Sequence, residues 1–445
     1  MINLKDKIPI NAKEIMQKLI DNGFEVVIQG GFVRDVLLGV EPHDVDIFTN
    51  CTDLLKVFSE GKVMGGEERQ AKILTIIVND IEISSFRKGG GRTETGGTLE
   101  EHTASADLTI NSIAMDINGK IIDTQKGVDD LHNNVIRFVG NPVDRFKEDK
   151  LRVLRFLRFE CKYRDFKPEG VDDFMFIRMV RELKKDFPQE RVREELLKIL
   201  SMDEAYKSTY FYLFLCTYFE EFRDCNVLGG GKFHDELVGT HLINALGFIS
   251  KITDNPLLRF AALFHDIGKA ESKSIKDDGL HFYNHEIIGA DIIGRHMDKL
   301  KFSKADMIYV NRLIRSHMYS YKSEPKLKSY VRFFGKLERD NVPVEDYIML
   351  LYSDNQGNMA KPRIKFGDFI KGNWLYKKYF ELKHTKVPFK VSDLEVKGKD
   401  VMDILKCSPG PIIGDTLREL FNKVMDGILE NNRKDLLNFL RNRGN

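Results

Sequence analysis

Two short segments decide the fold of the N-terminal part: Gly30-Gly31-Phe32-Val33-Arg34-Asp35 and His43-Asp44-Val45-Asp46-Ile47-Phe48. A β-rich run from Glu25 to Gln29 leads into the first segment, and a helical pattern follows it to Gly39. Paired glycines between a strand and a helix let backbone amides approach a phosphate, and the helix N-terminus adds favourable electrostatics. The first segment therefore predicts a phosphate-binding turn in a small α/β domain.

The second segment places two carboxylates close together. Asp44 and Asp46 are two residues apart on a predicted strand, so both side chains project from the same face. Such a pair can hold a divalent cation, which phosphoryl transfer uses to neutralise a triphosphate and activate an attacking hydroxyl. The alternative for Asp44-x-Asp46 alone is an acidic strand end exposed to solvent. Glu82 on a later predicted strand is a third candidate carboxylate, although a solvated strand residue is the favoured interpretation.

The remainder of the chain has a different character. Short β-rich runs dominate the first 140 residues, whereas from Arg145 onward apolar residues recur at helical spacing. We therefore predict an α+β multi-domain protein, with an α/β head at 1–140 and an all-α neck at 141–228. The glycine run Gly229-Gly230-Gly231 suggests the next domain boundary. This gives a helical body at 229–365 and a helical tail at 366–445.

The motifs of the head resemble those of class II tRNA nucleotidyltransferases and bacterial poly(A) polymerases, whose head has a polymerase-beta-like fold. Further segments match this family in the same order along nearly the whole chain: Asp107–Ala114, Gly127–Leu131, Ile136–Gly140, Glu148-Asp149-x-x-Arg152-x-x-Arg155, Gly398–Met402 and Pro409–Gly414. The resemblance implies that the head transfers nucleotides to RNA 3′ ends.

The resemblance also implies roles for individual residues. Asp44 and Asp46 are the catalytic ligands of Mg²⁺ in the transferase site. The implied nucleotide-binding residues are Gly30, Gly31, Arg34, Asp107, Asn111, Asp149, Arg152, Arg155 and Arg158. In the family, the residues equivalent to Asp149 and Arg152 select CTP and then ATP without a nucleic-acid template. Their i, i+3 spacing also predicts one shared helix face, on which an acceptor and a donor can read a base edge; the alternative is a surface ion pair.

One segment departs from the family pattern. The family usually carries Arg-Arg immediately before the aspartate of the ribose segment, whereas this chain has Ser105-Ala106-Asp107. Two guanidinium groups with bidentate donor geometry are thereby lost. Arg87 and Arg92, on the neighbouring Gly- and Thr-rich loop, are the candidates to compensate.

A second group of chemistry-bearing residues lies in the helical part. The chain has 11 histidines, and four of them fall at His241, His265, His285 and His317, with His265-Asp266 adjacent and Asp354 downstream. Imidazoles and carboxylates from separate helices suit a metal that activates water against a phosphoester.

This second pattern resembles the HD phosphohydrolase superfamily, which some bacterial CCA-adding enzymes carry as a fusion. By that resemblance His241, His265, Asp266 and Asp354 hold Ni²⁺, Mn²⁺, Fe²⁺ or Mg²⁺. His285, His317 and Lys269 are candidates for a second metal or for phosphate contacts.

Composition limits the remaining possibilities. With 42% hydrophobic residues, 31% charged residues and a net charge of +1, the chain is an ordinary globular protein in which any RNA surface is local. The five scattered cysteines argue against a disulfide framework, and we see no membrane or export signal. A cytoplasmic location is therefore expected; oligomeric state stays open.

The sequence favours a CCA-adding enzyme that uses tRNA, CTP and ATP, with an added metal-dependent phosphohydrolase activity. A poly(A) polymerase shares the same motifs and is the nearest alternative. An HD phosphodiesterase or phosphatase with an inactive transferase head is an alternative of another class, and a tRNA-binding scaffold without catalysis is a third.

Overall fold

The computed structural model describes residues 4–64, 75–89, 94–185, 187–226, 236–277, 279–319, 327–385 and 387–443. The chain forms two compact units. The first comprises Met1–Ile199 and Lys207–Tyr218, and the second comprises Leu200–Tyr206 and Phe219–Asn445. The division into four domains stays a prediction, and its boundary at Gly229-Gly230-Gly231 lies outside the described residues.

A seven-stranded sheet forms the centre of the first unit. Its strands are β1 (Val26–Gln29), β2 (Asp46–Thr49), β3 (Lys62–Val63), β4 (Thr75–Val78), β5 (Ile81–Ser85), β6 (Ala114–Met115) and β7 (Ile121–Ile122). They lie in the order β3-β4-β5-β2-β1-β6-β7. All pairs are antiparallel except β2 with β5, which run parallel with Asp46 beside Glu82.

Burial along the central strands explains which side chains face the functional site. Every residue of β1 is buried, as expected for the apolar Val-Val-Ile run at the sheet centre. In β2 the pattern alternates, so Ile47 and Thr49 are buried while Asp46 and Phe48 share the partly exposed face. Asp44 precedes this strand instead of lying on it, which corrects the prediction that both aspartates are strand residues.

Helices complete the first unit. They are α1 (Ile10–Asp21), α2 (Gly31–Leu37), α3 (Leu54–Val57), α4 (Leu99–Ala104), α5 (Gly127–His132), α6 (Pro142–Glu148), α7 (Arg152–Lys162), α8 (Asp173–Leu183), α9 (Gln189–Leu200) and α10 (Thr209–Tyr218). Helix α4 begins with a capping box, in which the Thr98 side chain and the Glu101 side chain each accept from the other's backbone N–H.

The second unit is almost entirely helical. Its helices are α11 (Glu220–Cys225), α12 (Val238–Ile249), α13 (Pro256–Phe264), α14 (Lys269–Ser272), α15 (His285–Lys299), α16 (Lys304–Ser316), α17 (Leu327–Arg339), α18 (Val344–Gly357), α19 (Phe366–Gly372), α20 (Trp374–Lys383), α21 (Gly398–Leu405), α22 (Pro411–Met425) and α23 (Arg433–Arg443). Helix α12 packs against α13 and α18, and α15 packs against α16. Within the described ranges, no helix has the length and apolarity needed to span a membrane.

Three short strands, β9 (Lys167–Glu169), β10 (Lys273–Lys276) and β11 (Gly279–Phe282), lie in the part of the chain that we expected to be all helical. Strand β9 pairs in parallel with β8 (Val135–Arg137), and β10 pairs with β11 as an antiparallel hairpin. The strands after Arg145 are short, and none of their residues is fully buried. They therefore lack the apolar alternation that identifies a strand in sequence.

Candidate active sites

A cavity of about 530 Å³ in the first unit collects ten of the eleven residues predicted for the nucleotide site. These ten are Gly30, Gly31, Arg34, Asp44, Asp46, Asp107, Asn111, Arg152, Arg155 and Arg158. The glycine turn follows β1 at the end where β2 begins, because Ile28 pairs with Ile47 in the antiparallel register. The turn and the two aspartates thus border one cavity, as the sequence predicted.

Gly30 has a φ of +89°, a conformation that glycine adopts without strain. Helix α2 starts at the next residue, so its N-terminal amides lie beside the cavity. This is the local geometry that suits a phosphate, since a helix N-terminus carries a partial positive charge.

The carboxylates of Asp44, Asp46 and Glu82 lie near one another and repel. Burial, with smaller contributions from the neighbouring charges of Glu82 and Asp44, raises the pKa of Asp46 to about 6. Glu82 is exposed, yet it is the direct neighbour of Asp46 on the adjacent parallel strand. A divalent cation would relieve this repulsion, and Asp44 and Asp46, which both line the cavity, could bind it.

A hydrogen-bond chain connects the turn with the ribose segment. Arg34 donates through Nη1 to Asn111 Oδ1 at 2.5 Å and pairs through Nη2 with Asp35 at 2.8 Å. Asn111 in turn donates through Nδ2 to Asp107 Oδ1 at 3.0 Å, and Arg155 Nε lies 2.6 Å from Asp107 Oδ2. Burial opposes ionisation of Asp107, but Arg155 and the Asn111 hydrogen bond hold its pKa below the usual value.

Asp149 and Arg152 do not share a helix face, which corrects the prediction from their spacing. Asp149 is the extended C-cap of α6, whereas Arg152 is the first residue of α7. Asp149 is buried and is not among the residues that line the cavity. Arg152 lines it, with Nη1 2.9 Å from Glu148 Oε2 and Nη2 2.9 Å from the Ser105 carbonyl oxygen.

Five further cavity residues were not predicted from the sequence: Gln29, Phe48, His102, Phe159 and Lys198. Arg87, which was named only as a substitute for the missing arginines, also lines the cavity, whereas Arg92 lies outside the described residues. The position of Phe48 two residues after Asp46 is a signal that strand alternation could have supplied. His102 offered no such signal, because its position depends on how α4 packs.

The histidine and aspartate residues of the second unit converge on one centre. His241 Nε2 lies 3.2 Å from His265 Nε2 and 3.1 Å from Asp354 Oδ1, and His265 Nε2 lies 3.4 Å from the same oxygen. Ligand atoms at right angles around an ion with bonds of about 2.1 Å are separated by about 3 Å. These three side chains therefore fit one metal ion.

Asp266 connects this group with the other two histidines. Its Oδ2 lies 3.5 Å from His265 Nε2, and its Oδ1 lies 3.1 Å from His285 Nε2 and 3.3 Å from His317 Nε2. Lys269 Nζ approaches Oδ2 to 2.6 Å. Burial opposes ionisation of Asp266, but Lys269 and His265 hold its pKa well below the usual range. A charged carboxylate thus lies between two groups of imidazoles.

Backbone carbonyls orient three of the imidazoles. The Nδ1 atoms of His265, His285 and His317 lie 2.8, 2.9 and 2.7 Å from the carbonyl oxygens of Ala262, Phe282 and Ile314. A carbonyl only accepts, so each Nδ1 carries a proton, and in the neutral ring Nε2 is left as the atom that can bind a metal ion. Glu236, which sequence reasoning missed, serves His241 in the same way, with Oε1 3.3 Å from Nδ1.

Family models match three segments of the chain. A family model described as the poly A polymerase head domain matches residues 26–137, an HD domain model matches 238–350, and a model described as putative tRNA nucleotidyltransferase domain 2 matches 379–440. A CCA-adding enzyme of Ligilactobacillus salivarius is 29% identical over 445 residues, covering 96% of this chain and 94% of that protein. The chain belongs to the tRNA nucleotidyltransferase and poly(A) polymerase family.

Other members of the family show two kinds of similarity. Poly(A) polymerase I of Salmonella typhimurium is 30% identical over 318 residues, which are 64% of this chain and 66% of that protein. The crystal structure of the Bacillus stearothermophilus CCA-adding enzyme in complex with CTP has a TM-score of 0.63 at 21% identity, covering 100% of this chain and 98% of that one. This structural likeness shows a shared fold. The chain is thus a nucleotidyltransferase that also carries an HD domain.

Proposed function

We propose that this chain adds nucleotides from CTP and ATP to tRNA 3′ ends through the head cavity. The observation that supports this most is the convergence of the glycine turn, Asp44, Asp46, Arg34 and Asp107 on one cavity. The CCA-adding relative matches along nearly the whole chain, whereas the poly(A) polymerase matches about two thirds of it.

In this reaction the 3′ hydroxyl of the RNA attacks the α-phosphorus of the nucleotide and pyrophosphate leaves. Asp44 and Asp46 would hold Mg²⁺, which supplies charge neutralisation and activation of the hydroxyl. Gly30 and Gly31 present backbone amides to the triphosphate, and Arg34, braced by Asn111, adds a cation beside them. Asp107 meets the ribose, and Arg152 with Arg155 and Arg158 lines the nucleoside part of the cavity. Asp149 shapes this part by accepting from the Leu151 backbone N–H at 3.1 Å.

The test is an incorporation assay with separated nucleotides. Purified full-length protein is incubated with tRNA that ends at its discriminator base, with CTP alone, ATP alone, or both. Strong CTP incorporation, followed by ATP only on the CTP-extended product, supports CCA addition. Repeated ATP incorporation with CTP excluded would instead establish a poly(A) polymerase.

We further propose that the HD centre hydrolyses phosphoesters with a divalent transition metal or Mg²⁺. His241, His265, Asp266 and Asp354 are its ligands, and His285 and His317 extend it toward a second ion. Lys269, at 2.6 Å from Asp266, is a candidate to bind the substrate phosphate.

The two proposed sites are separable by mutation. Asp44→Ala with Asp46→Ala should abolish nucleotide incorporation and spare hydrolysis of a chromogenic phosphodiester, whereas Asp266→Ala should do the reverse. If the wild-type protein hydrolyses the diester but incorporates no nucleotide with any divalent metal, the head is inactive and the protein acts through its HD centre. If neither activity is found while tRNA binds, it is a scaffold.

A further inference from the structure

Two donors that line the head cavity have no partner. The Nε2 atom of His102 is buried, and no hydrogen-bond partner for it exists within the described part of the chain. The Arg87 guanidinium also lines the cavity and has neither an ion pair nor a hydrogen bond with any described residue. The other four cavity arginines each pair with a carboxylate: Arg34 with Asp35, Arg152 with Glu148, Arg155 with Asp107 and Arg158 with Glu195.

A hydrogen bond connects Arg87 with His102. The Arg87 backbone N–H donates to His102 Nδ1 at 3.2 Å, so Nδ1 must accept and the neutral ring carries its proton on Nε2. Burial lowers the pKa of His102 to about 3, and the charge of Arg87 contributes, so the ring stays neutral at physiological pH. Phe48 and Phe86 flank the ring, with centroids 4.4 and 5.2 Å away. His102 is therefore a rigid, uncharged donor.

The register of the sheet shows which end of the cavity these donors occupy. Asp46 pairs with Glu82, and Arg87 lies five residues beyond Glu82. Because β5 ends at Ser85, the rise of about 3.3 Å per residue gives an upper bound of roughly 16 Å between the Arg87 backbone and the carboxylate end. Phe48 lies between the two, on the same face of β2 as Asp46 and in contact with His102. With the triphosphate at the glycine turn and the carboxylates, the nucleoside extends toward Arg87 and His102.

Electrostatics favour a ligand at this end. Burial lowers the pKa of the Arg87 guanidinium, and the nearby charges of Arg155 and Arg152 lower it further, which Asp107 and Asp149 only partly offset. A buried donor without a partner is costly, and a cation among cations more so. Acceptor atoms of a bound nucleoside would remove both penalties.

We propose that Arg87 and His102 form a donor pair that binds acceptor atoms of the base or ribose of the incoming nucleotide, in place of the arginines absent at Ser105-Ala106. This rests on the proposed function of the head. It assigns nucleoside recognition to a loop residue and a neutral histidine, at the opposite end of the cavity from the metal-binding carboxylates.

The experiment separates nucleoside contacts from phosphate contacts. The KM and kcat for CTP and ATP are measured together with the Ki of inorganic tripolyphosphate, which has no nucleoside. The variants are Arg87→Met, His102→Phe, which keeps the ring between Phe48 and Phe86, and His102→Gln, which keeps a donor. Lys88→Met is the matched control, because it removes one positive charge from the adjacent exposed residue.

We expect Arg87→Met and His102→Phe each to raise KM for the nucleotides about tenfold. The Ki of tripolyphosphate should change by less than about twofold, His102→Gln should recover part of the loss, and Lys88→Met should resemble wild type. Equal losses for CTP and tripolyphosphate, or equal effects of Arg87→Met and Lys88→Met, would overturn the proposal, as would unchanged KM in well-folded variants. A wild-type protein that incorporates no nucleotide would instead refute the function proposed for the head.

Discussion

Asp46 and Glu82 are register partners on the two parallel strands of the head sheet, so their carboxylates are held side by side. Burial, Glu82 and Asp44 together raise the pKa of Asp46 from 3.8 to about 6. A raised folded-state pKa means that the ionised carboxylate destabilises the fold. This cost is absent below the unfolded-state pKa, grows as pH rises from about 4 to 6, and stays constant above that range. The head therefore carries an electrostatic cost at Asp46 that a bound cation would relieve.

Asp46→Asn should stabilise the protein in EDTA at pH 8 by about 1–2 kcal/mol, since the full shift corresponds to about 3 kcal/mol and the side chain is partly exposed. Differential scanning calorimetry of the full chain measures this change. At pH 5 the gain should shrink to roughly half, because wild-type Asp46 is then largely protonated in the fold. Transfer activity should be lost at every pH. A gain that is the same at pH 5 and pH 8 would mean that Asp46 titrates normally.

Removing the amide that joins Arg34 to Asp107 should weaken nucleotide use without unfolding the head. We expect Asn111→Ala to lower kcat/KM for CTP about 10–100-fold, because both side chains lose the hydrogen bonds that orient them. A double-mutant cycle of Asn111→Ala and Arg34→Met should give a coupling energy of about 1–2 kcal/mol in transition-state binding. Strictly additive losses would show that Asn111 does not act through Arg34.

How far the sequence predicts the head site depends on whether a feature is local. The glycine turn and the two aspartates are short patterns whose geometry follows from one strand, one turn and one helix. The prediction that Asp149 and Arg152 share one helix face was wrong, because no glycine or proline marks the break between α6 and α7. The contact between Arg87 and His102 joins residues 15 positions apart across a loop, and no periodicity predicts it.

In the candidate metal centre of the second unit, too, the local sequence pattern was predictable and the contacts that depend on packing were not. The residue types and the His265-Asp266 pair predicted a metal site, and the structure brings His285 and His317 to the same carboxylate. The orienting partners were not predictable, since backbone carbonyls carry no residue signature and Glu236 precedes His241 by a spacing without a helical match.

Glu236→Gln should weaken metal binding at the HD centre about 10–100-fold, because a carboxylate beside Nδ1 fixes the His241 ring and makes Nε2 a better ligand. Titration with Mn²⁺ or Ni²⁺, followed by calorimetry, gives the affinity. Glu286→Gln is the matched control, since its carboxylate lies 3.9 Å from His285 Nδ1, beyond hydrogen-bond distance. Equal losses in the two variants would point to the net charge of the region and not to ring orientation.

Gly268→Ala should destroy the HD centre while leaving the transferase active. A methyl group on Gly268 would lie 2.0 Å from the His285 carbonyl oxygen and 2.5 Å from the Gly289 nitrogen, so α15 would have to move away from Asp266. We expect destabilisation of about 1–3 kcal/mol, as is typical of forced overpacking, together with loss of metal binding. Gly294→Ala, within α15, is the control: its methyl group meets no atom within 4 Å and should stabilise that helix by about 0.5–1 kcal/mol. Calorimetry and metal titration of both variants decide the matter: normal metal affinity in Gly268→Ala would show that close packing of α14 and α15 does not position His285.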